Sequence, residues 1–538
     1  MKSLKKGLRL MDSQHIEQQD VDQAVEIGLG AAKSGSIFLG GEILTSAITL
    51  VLLVFLTRYL GPSQFGLYTI AISFAGILTV AQTFGISTAY RKTLPEAAYN
   101  NKRRAADFIA AGWRTALPIG LGIAVVGLLI SGIAARYIYS NQLLTAALEL
   151  AAISEFVSVF FNLLLGSLVG LGKVREATIA NIAYSLGYLL AAVILVEIGY
   201  GMVGAVAGFV VGLLAGAVVA FMYQSRELGV RLSRANKSDV KHIRSFSLPI
   251  VVNNIAAQGS MNLAILVLGA VAISSAVGSY GAAYKLARFI ELSITAITFI
   301  LLGAYSKTLS KEDTSRRISS IYNGSVYYTC LFLLPIVAYG IVEAVPITHL
   351  LFSSSYTSAP LLFSVMIAGM AAEIIGLYAG TLMIGSGNTV KFMKYQLINI
   401  GAQVALVFLL VPIYKAAGAV VALFIISPIL LDIIYIHALK MQFGIKHRFR
   451  PLVAILAASV AGGIVLYIAE FALHGGRFSI VYNAVIGIFV FPAFIGIFGA
   501  ANRKNLEFIK NAGARLKSFH YITDALVDYS SHFVKWQK

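Results

Sequence analysis

The sequence contains one cysteine, Cys330, among its 538 residues. A single cysteine excludes a disulfide framework within the chain and any cysteine-based metal site. Common enzyme motifs are missing as well. Gly172-Lys173 is followed by Val174, so it does not complete the phosphate-binding pattern G-x-x-x-x-G-K-[ST], and no H-E-x-x-H zinc pattern occurs. We therefore expect no enzyme activity, no bound metal and no cofactor.

Charged residues are also scarce. They make up 12% of the chain against 58% hydrophobic residues, and the mean hydropathy is +0.81. This composition excludes a soluble globular protein. An apolar stretch of about 20 residues can cross a hydrocarbon core of about 30 Å as a helix. The sequence predicts fourteen such spans, near 36–57, 65–90, 107–133, 143–169, 178–198, 202–223, 246–270, 279–303, 319–343, 359–384, 393–411, 418–438, 451–471 and 479–500.

The positions of the lysines and arginines predict the orientation in the membrane. Of the 42 in the chain, 35 fall in the two tails and in every second connection, and four fall in the opposite connections. Such an excess marks the cytoplasmic side, so we expect a multi-pass protein of the cell membrane with both termini in the cytoplasm. The net charge of +18 then reflects loops beside anionic lipid, and no nucleic-acid partner is needed to explain it.

The second half of the chain repeats the first. Residues 170–215 and 385–430 share a pattern of glycines and apolar runs, and Phe65-Gly66-Leu67-Tyr68 is echoed 212 residues later by Val277-Gly278-Ser279-Tyr280. A duplicated hydrophobic unit is a common plan of transporters, with the substrate path between the copies. We therefore predict an all-α polytopic fold of fourteen transmembrane helices, with two six-helix lobes and two further helices. The predicted parts are an N-terminal tail (1–35), an N-lobe (36–223), a basic linker (224–245), a C-lobe (246–438), the last two spans (451–500) and an amphipathic cytoplasmic tail (501–538).

Two cations lie inside the eighth predicted span. Lys285 and Arg288 are three residues apart and therefore share a helix face. At 1.5 Å per residue, Arg288 would lie about 14 Å from the external end of the span. A charge at this depth usually faces a cavity or a partner. The pair could bind a phosphate group, or Arg288 could be neutralised by Glu291 or by Glu42.

Other polar side chains form stripes along four spans, and we expect them to line a central cavity. These candidates are Glu42, Thr45, Thr49, Thr79, Thr83, Asn254, Gln258, Asn262, Glu291 and Thr295. The amides could bind sugar hydroxyls, but amides also hold membrane helices together, and both interpretations stay open. Glu343 lies near the external end of a span, where we expect it to be solvated.

Five motifs in the sequence have a recognisable pattern of glycines and apolar residues. They are Leu56-Thr57-Arg58-Tyr59-Leu60-Gly61-Pro62, Phe65-Gly66-Leu67-Tyr68, Phe84-Gly85-Ile86-Ser87-Thr88-Ala89, Phe246-Ser247-Leu248-Pro249 and Val277-Gly278-Ser279-Tyr280-Gly281-Ala282-Ala283-Tyr284-Lys285-Leu286. These motifs resemble those of the polysaccharide and oligosaccharide flippase family, a branch of the multidrug/oligosaccharidyl-lipid/polysaccharide exporter superfamily. The resemblance covers roughly residues 36–500. The sequence departs from many relatives at Asn262-Leu263-Ala264, where they carry an acid.

The resemblance implies a two-lobed carrier that moves a polyprenyl-phosphate- or polyprenyl-pyrophosphate-linked oligosaccharide to the outer leaflet by alternating access. Such transport serves the assembly of surface polysaccharides or glycoprotein glycans. The implied partners are the lipid-linked glycan, membrane lipids and glycan-assembly enzymes, and we expect a monomer. The alternative is a cation-coupled multidrug or metabolite exporter of the same superfamily. That exporter would need acids in its cleft, whereas Lys285 and Arg288 are basic.

Overall fold

The computed structural model describes residues 2–82, 85–228, 236–308, 314–473, 476, 478–514 and 520–534. Within these ranges the chain is helical and forms no β-strand. The helices are α1 Lys2–Gln82, α2 Ile86–Asn100, α3 Lys102–Ile133, α4 Leu144–Gly170, α5 Val174–Leu195, α6 Gly201–Leu228, α7 Lys237–Val271, α8 Ser274–Thr308, α9 Thr314–Val342, α10 Ala344–Leu351, α11 Ala359–Ala372, α12 Ile374–Gly385, α13 Thr389–Val420, α14 Ser427–Phe443, α15 Phe449–Ala472, α16 Ser479–Ile497, α17 Arg503–Ala514 and α18 His520–Val534. Short π-helical turns occur at Ala134–Ile138, Val196–Tyr200 and Val421–Ile426.

Nine helical stretches among the described residues are long and apolar enough to cross a membrane. A helix satisfies all of its backbone hydrogen bonds internally, which is the condition for lying in hydrocarbon. The prediction of an all-α polytopic membrane fold is confirmed. The nine stretches overlap twelve of the fourteen predicted spans, and the other two fall on α7 and α8. The count of fourteen spans stays a prediction.

Three of these stretches are at least twice as long as the roughly 20 residues that one crossing requires. They are Gly40–Thr79, Val174–Leu228 and Thr389–Phe443, with 40, 55 and 55 residues. Each contains a residue of positive φ that interrupts the helix, namely Gly61 at 66°, Gly199 at 104° and Lys415 at 54°. Each of these residues lies between two predicted spans, as a reversal of the chain requires. Helix α1 therefore has a second segment, residues 62–82.

The chain divides into two compact units. The first comprises Met1–Leu52, Ala81–Ser131 and Glu149–Val251, and the second comprises Leu53–Val80, Gly132–Leu148 and Val252–Lys538. Most of the second segment of α1 thus belongs to the same unit as the C-terminal half of the chain. The predicted division into lobes at 36–223 and 246–438 follows the sequence repeat and stays a prediction.

Small residues allow close helix packing in the first unit. Gly208 and Gly212 of α6 lie against Ala192 and Tyr188 of α5, where an added Cβ would come within 3 Å of its neighbours. Such contacts are typical of membrane helices, which associate by close van der Waals packing. The buried Tyr90 donates a hydrogen bond of 2.8 Å to the carbonyl of Ile109.

An ion pair joins α3 to the beginning of α7 in the same unit. Arg104 donates two hydrogen bonds to the carboxylate of Asp239, at 2.6 and 2.8 Å. Asp239 is buried, whereas the Arg104 side chain is 48% exposed. This fork geometry is the strongest form of an arginine–carboxylate contact. It fixes the start of α7, which begins within the predicted basic linker.

Replacing Asp239 with asparagine is expected to lower the free energy of unfolding by about 1–3 kcal/mol, because Arg104 would lose its anionic partner. Exposure of Arg104 keeps the loss below that of a fully buried pair. Denaturant unfolding of the purified protein measures it. The matched control is Asp528→Asn, which breaks the exposed 3.2 Å pair with Lys510 and should cost about 0.5 kcal/mol or less. Equal losses of unfolding free energy in the two variants would contradict a special stabilising role for the Arg104–Asp239 pair.

In the second unit, a break between α11 and α12 is held by a partly buried acid. The backbone N–H of Gly376 donates a hydrogen bond of 2.7 Å to Oδ1 of Asp432 on α14. Glu373 lies at the break between the two helices. The carboxylate therefore satisfies a backbone group near the start of α12 that has no partner within its own helix.

The C-terminal tail folds into two helices, α17 and α18, that pack against each other. Leu506 and Val527 are buried, and Lys510 pairs with Asp528. The backbone of Gly496 at the end of α16 lies against Phe533. Tyr327 of α9 donates a hydrogen bond of 2.7 Å to the carbonyl of Ala500. Described residues of the tail therefore pack against the end of α16, and the amphipathic tail over 501–538 stays a prediction.

Candidate functional site

Lys285 of α8 is half-buried against the second segment of α1. Its Nζ donates a hydrogen bond of 3.2 Å to the hydroxyl of Tyr68. The same nitrogen lies 4.5 Å from the ring centre of Tyr68 and 5.5 Å from that of Phe65. Aromatic faces attract an ammonium group through their negative quadrupole. The cation that the sequence singled out is therefore engaged with two aromatic rings in this structure.

The rings that contact Lys285 are themselves fixed by packing. Phe65 and Tyr68 are almost completely buried, and their ring centres are 5.4 Å apart. Tyr356, just before α11, meets Phe65 edge to face at 6.3 Å. The Tyr356 hydroxyl donates a hydrogen bond of 2.8 Å to the carbonyl of Thr57. This aromatic cluster is absent from the predicted site, although Phe65 and Tyr68 belong to the repeated motif.

Arg288 lies one turn beyond Lys285 on α8, and its side chain is exposed. The two cations therefore have different surroundings, although they share a helix face. The side chain of Glu291, the predicted partner within α8, lies outside the described residues. Glu42 belongs to the other compact unit and is half-buried there.

The predicted threonines bond to carbonyls of their own helix. Thr45 donates to Glu42 at 3.1 Å, Thr49 donates to Thr45 at 2.8 Å, and Thr79 donates to Ala75 at 3.1 Å. A hydroxyl bonded in this way can still accept a hydrogen bond from a ligand. Glu42, Thr45 and Thr49 lie in the first unit and Thr79 lies in the second.

Asn262 of α7 packs directly on the backbone of Gly76 in α1. A Cβ at Gly76 would come within 3 Å of the Asn262 side-chain oxygen and Cγ. For this amide, the contact favours a role in joining helices, the second of the two interpretations left open by the sequence. Thr83 lies outside the described residues. The same holds for the side chains of Asn254, Gln258 and Thr295.

Close to the Lys285 contact, α1 and α8 cross through glycines. A Cβ at Gly66 would overlap the carbonyl oxygen of Ser274, and a Cβ at Gly278 would overlap that of Pro62. One turn further on, a Cβ at Gly281 would lie 2.6 Å from Cγ2 of Thr69. We call this contact, formed by Pro62, Gly66 and Thr69 on α1 and Ser274, Gly278 and Gly281 on α8, the glycine crossing.

The glycine crossing has the symmetry of the sequence repeat. Its three residues on α1 and its three on α8 correspond one to one at an offset of 212 residues. Gly66 contacts Ser274 as Gly278 contacts Pro62, so the contact is reciprocal. The two copies of the repeated motif therefore pack against each other across a local two-fold axis. The sequence showed the repeat but not this contact.

Near the crossing, Arg58 bonds to the end of α10. Its Nε donates a hydrogen bond of 3.1 Å to the carbonyl of Leu351, and its Nη2 donates to that of Leu350. These carbonyls belong to the last turn of α10, where carbonyl groups have no hydrogen-bond partner within the helix.

Glu343 is completely buried, so the expectation that it is solvated was wrong. Its carboxylate accepts hydrogen bonds of 2.6 Å from the hydroxyl of Ser479 and from the amide of Asn483. Both partners lie on α16 and come more than 130 residues later in the chain. A pattern local to one span could not show that α16 covers this carboxylate.

The second unit also contains a groove with a volume of about 1590 Å³, between α8, α9, α15 and α17. Its walls are largely apolar and include Phe332, Leu452 and Phe508, and Arg448 also lines it. Burial lowers the pKa of His447, another lining residue. Among the described residues, no cluster of histidine, cysteine or acidic side chains could hold a metal ion.

Comparisons with known proteins identify a family and a relative. A family model described as polysaccharide biosynthesis protein matches residues 55–360. The chain is similar to the protein named probable low-salt glycan biosynthesis flippase Agl15 of Haloferax volcanii, with 21% identity over 404 residues, 74% of this chain and 81% of the relative.

Two solved structures share the fold. The lipid II flippase MurJ in its inward closed conformation matches with a TM-score of 0.71 and 15% identity, over 86% of this chain and 98% of MurJ. An inward-facing multidrug resistance MATE family transporter matches with a TM-score of 0.63 and 14% identity, over 76% of this chain and 98% of the transporter.

Proposed function

This chain belongs to the polysaccharide biosynthesis protein family, and we propose that it translocates a polyprenyl-(pyro)phosphate-linked oligosaccharide across the cell membrane by alternating access. The observation that carries the proposal is the pair of cations on α8. Lys285 and Arg288 lie one turn apart on α8, in the eighth predicted span of a chain whose relative Agl15 is named as a glycan flippase. A transporter of phosphate-bearing lipids needs such charges at membrane depth.

The two ends of a lipid-linked glycan differ in how they can cross a membrane. A glycan head with its phosphate cannot cross hydrocarbon, whereas the polyprenyl tail need not leave it. A polar, cationic path lets the head cross while the tail stays in lipid. Arg288 would bind the phosphate through two parallel hydrogen bonds, and Lys285 would add a second charge. The predicted stripes of amide and hydroxyl side chains remain our candidates for contacts with the sugars.

The fold alone would also suit an exporter of the multidrug type, since a MATE transporter is among the structural neighbours. An exporter of cationic drugs would need acids in its path. The basic pair on α8 favours an anionic cargo instead. Export of cationic dyes by the purified protein in vesicles would support the exporter and contradict our proposal.

We further propose that both termini lie in the cytoplasm, because the tails and every second connection together hold 35 of the 42 lysines and arginines. The duplication supplies both halves of a path within one chain, which supports a monomer. Enzymes that assemble the glycan on its lipid would act on the same substrate and are candidate partners.

Disrupting the gene is expected to make lipid-linked oligosaccharide accumulate in the inner leaflet, because its synthesis would continue while its transfer stops. Mass spectrometry of extracted lipids measures the accumulation, and digestion by a glycosidase added outside the cell reports the leaflet. Restoring the wild-type gene should reverse the effect. Unchanged lipid-linked glycans, in amount and in leaflet, would contradict the proposal.

A further inference from the structure

We propose that Lys285 is a switch that holds the predicted external end of the protein closed when no substrate is bound, and releases it when a phosphate group binds. The inference rests on the proposed function, since it assigns a regulatory step to the same cation. In the closed state Lys285 binds the rings of Phe65 and Tyr68. In the loaded state it binds phosphate.

Lys285 lies on the face of α8 that forms the glycine crossing. Gly278, Gly281 and Lys285 follow one another at spacings of three and four residues, so they lie on one face of α8. That face packs on the second segment of α1 through the glycine crossing. The contacts from Lys285 to Tyr68 and Phe65 therefore join the same two helices at the same crossing.

Lys285 also strengthens the contact between α1 and α8. The glycine crossing brings two backbones into van der Waals contact. Lys285 adds a directional attraction, with a hydrogen bond of 3.2 Å to Tyr68 and two ring faces within 6 Å. A desolvated cation–π contact is among the stronger single contacts that such an interface can contain. Losing it should shift the equilibrium toward opening.

The ammonium of Lys285 cannot contact the two rings and a phosphate at the same time. The faces of Phe65 and Tyr68 are electron-rich, so a phosphate placed against them would be repelled. Both rings are almost fully buried, which leaves no space for an anion between them and Nζ. Arg288 is exposed one turn away and can meet the phosphate first. The ammonium of Lys285 can then leave the rings for the anion, where the hydrogen bond is charge-assisted on both sides.

The consequence is that opening depends on cargo. Without an anionic head, Lys285 keeps α1 and α8 joined and the predicted external end stays shut. A lipid that has a tail but no phosphate cannot break the contact. The switch therefore selects for a phosphate-bearing substrate at the opening step and not only at binding.

A cysteine placed in the glycine crossing can report whether α1 and α8 have separated. Thr69, which is 2% exposed and faces Gly281, is replaced by cysteine in a full-length Cys330→Ala background, and the protein is placed in lipid nanodiscs. A charged thiol reagent then reports access. We expect Lys285→Gln to raise the labelling rate by about 2- to 30-fold, the equilibrium change that matches an ordinary cation–π contact. Tyr68→Leu should act in the same direction.

Farnesyl phosphate serves as the ligand probe. It should raise labelling of the protein that keeps Lys285 by a similar factor and add nothing in Lys285→Gln. Farnesol and inorganic phosphate separate the effects of the tail and of free anion, and neither should open the crossing alone. The control is Arg136→Gln, which removes an exposed cation from the ring of Tyr137 and should leave labelling unchanged.

Binding of farnesyl phosphate is measured in parallel by the shift in unfolding temperature. If the probe binds but labelling does not rise, the switch is rejected while the proposed function stands. If the probe does not bind at all, the proposed substrate class fails and the switch fails with it. Unchanged labelling in both Lys285→Gln and Tyr68→Leu, with both proteins folded, overturns the role of Lys285 as the closing contact.

Discussion

A valine at Gly278 is expected to abolish most transport while leaving the protein folded in the membrane. The added side chain would overlap the carbonyl oxygen of Pro62, and backbone cannot move aside as a flexible side chain can. Overpacking of this kind costs about 1–3 kcal/mol or more, which corresponds to a shift of about 5- to 150-fold against the closed arrangement of α1 and α8. A carrier that cannot close completes few cycles.

The measurement is the rate of substrate transfer in proteoliposomes at equal protein content, together with labelling of Thr69→Cys. Gly278→Val should transfer slowly and label fast. The matched control is Gly401→Val on α13, where a Cβ would meet nothing within 4 Å. Gly66→Val should reproduce the loss, because its overlap with Ser274 is the symmetry-related contact. Normal transfer by both crossing variants would show that this contact is not part of the cycle.

The class of fold could be predicted from the sequence because it depends on local properties. Apolar runs long enough to cross a membrane must be helical there, and residues of positive φ such as Gly61 and Gly199 lie between the predicted spans. Lys415 also lies between two predicted spans, but the residue type does not mark the reversal there, since a lysine with φ of 54° is uncommon. The tail was expected to be amphipathic, but its contacts with Gly496 at the end of α16 could not be predicted from its own pattern.

The candidate site could be predicted only in part. The cost of a charge in hydrocarbon singles out Lys285 and Arg288 from the sequence. The partners of Lys285 could not be found in this way, because Tyr68 is 217 residues away in the chain. The repeat contained a signal that the two motifs are equivalent, but equivalence alone does not show contact. Glu343 was misjudged for the same reason, since its partners come from a distant helix.

Replacing Arg288 with alanine is expected to reduce transport of the lipid-linked glycan by at least about tenfold, with normal folding. A charge-assisted hydrogen bond contributes about 1.5–3 kcal/mol, or about 10- to 150-fold in affinity for the phosphate. Arg288→Lys should retain part of the rate, because it keeps the charge but loses the planar fork. Folding should be normal because the arginine side chain is exposed.

The same variant separates binding from closure. Arg288 is proposed to meet the phosphate, whereas Lys285 contacts Tyr68, so Arg288→Ala should leave labelling of Thr69→Cys unchanged in the absence of ligand. It should weaken the increase caused by farnesyl phosphate. Arg136→Gln again serves as the control for loss of an exposed arginine. Wild-type transfer by Arg288→Ala at equal membrane levels would reject the assigned role, since a cation at this depth that contributes nothing to phosphate binding would have to serve packing alone.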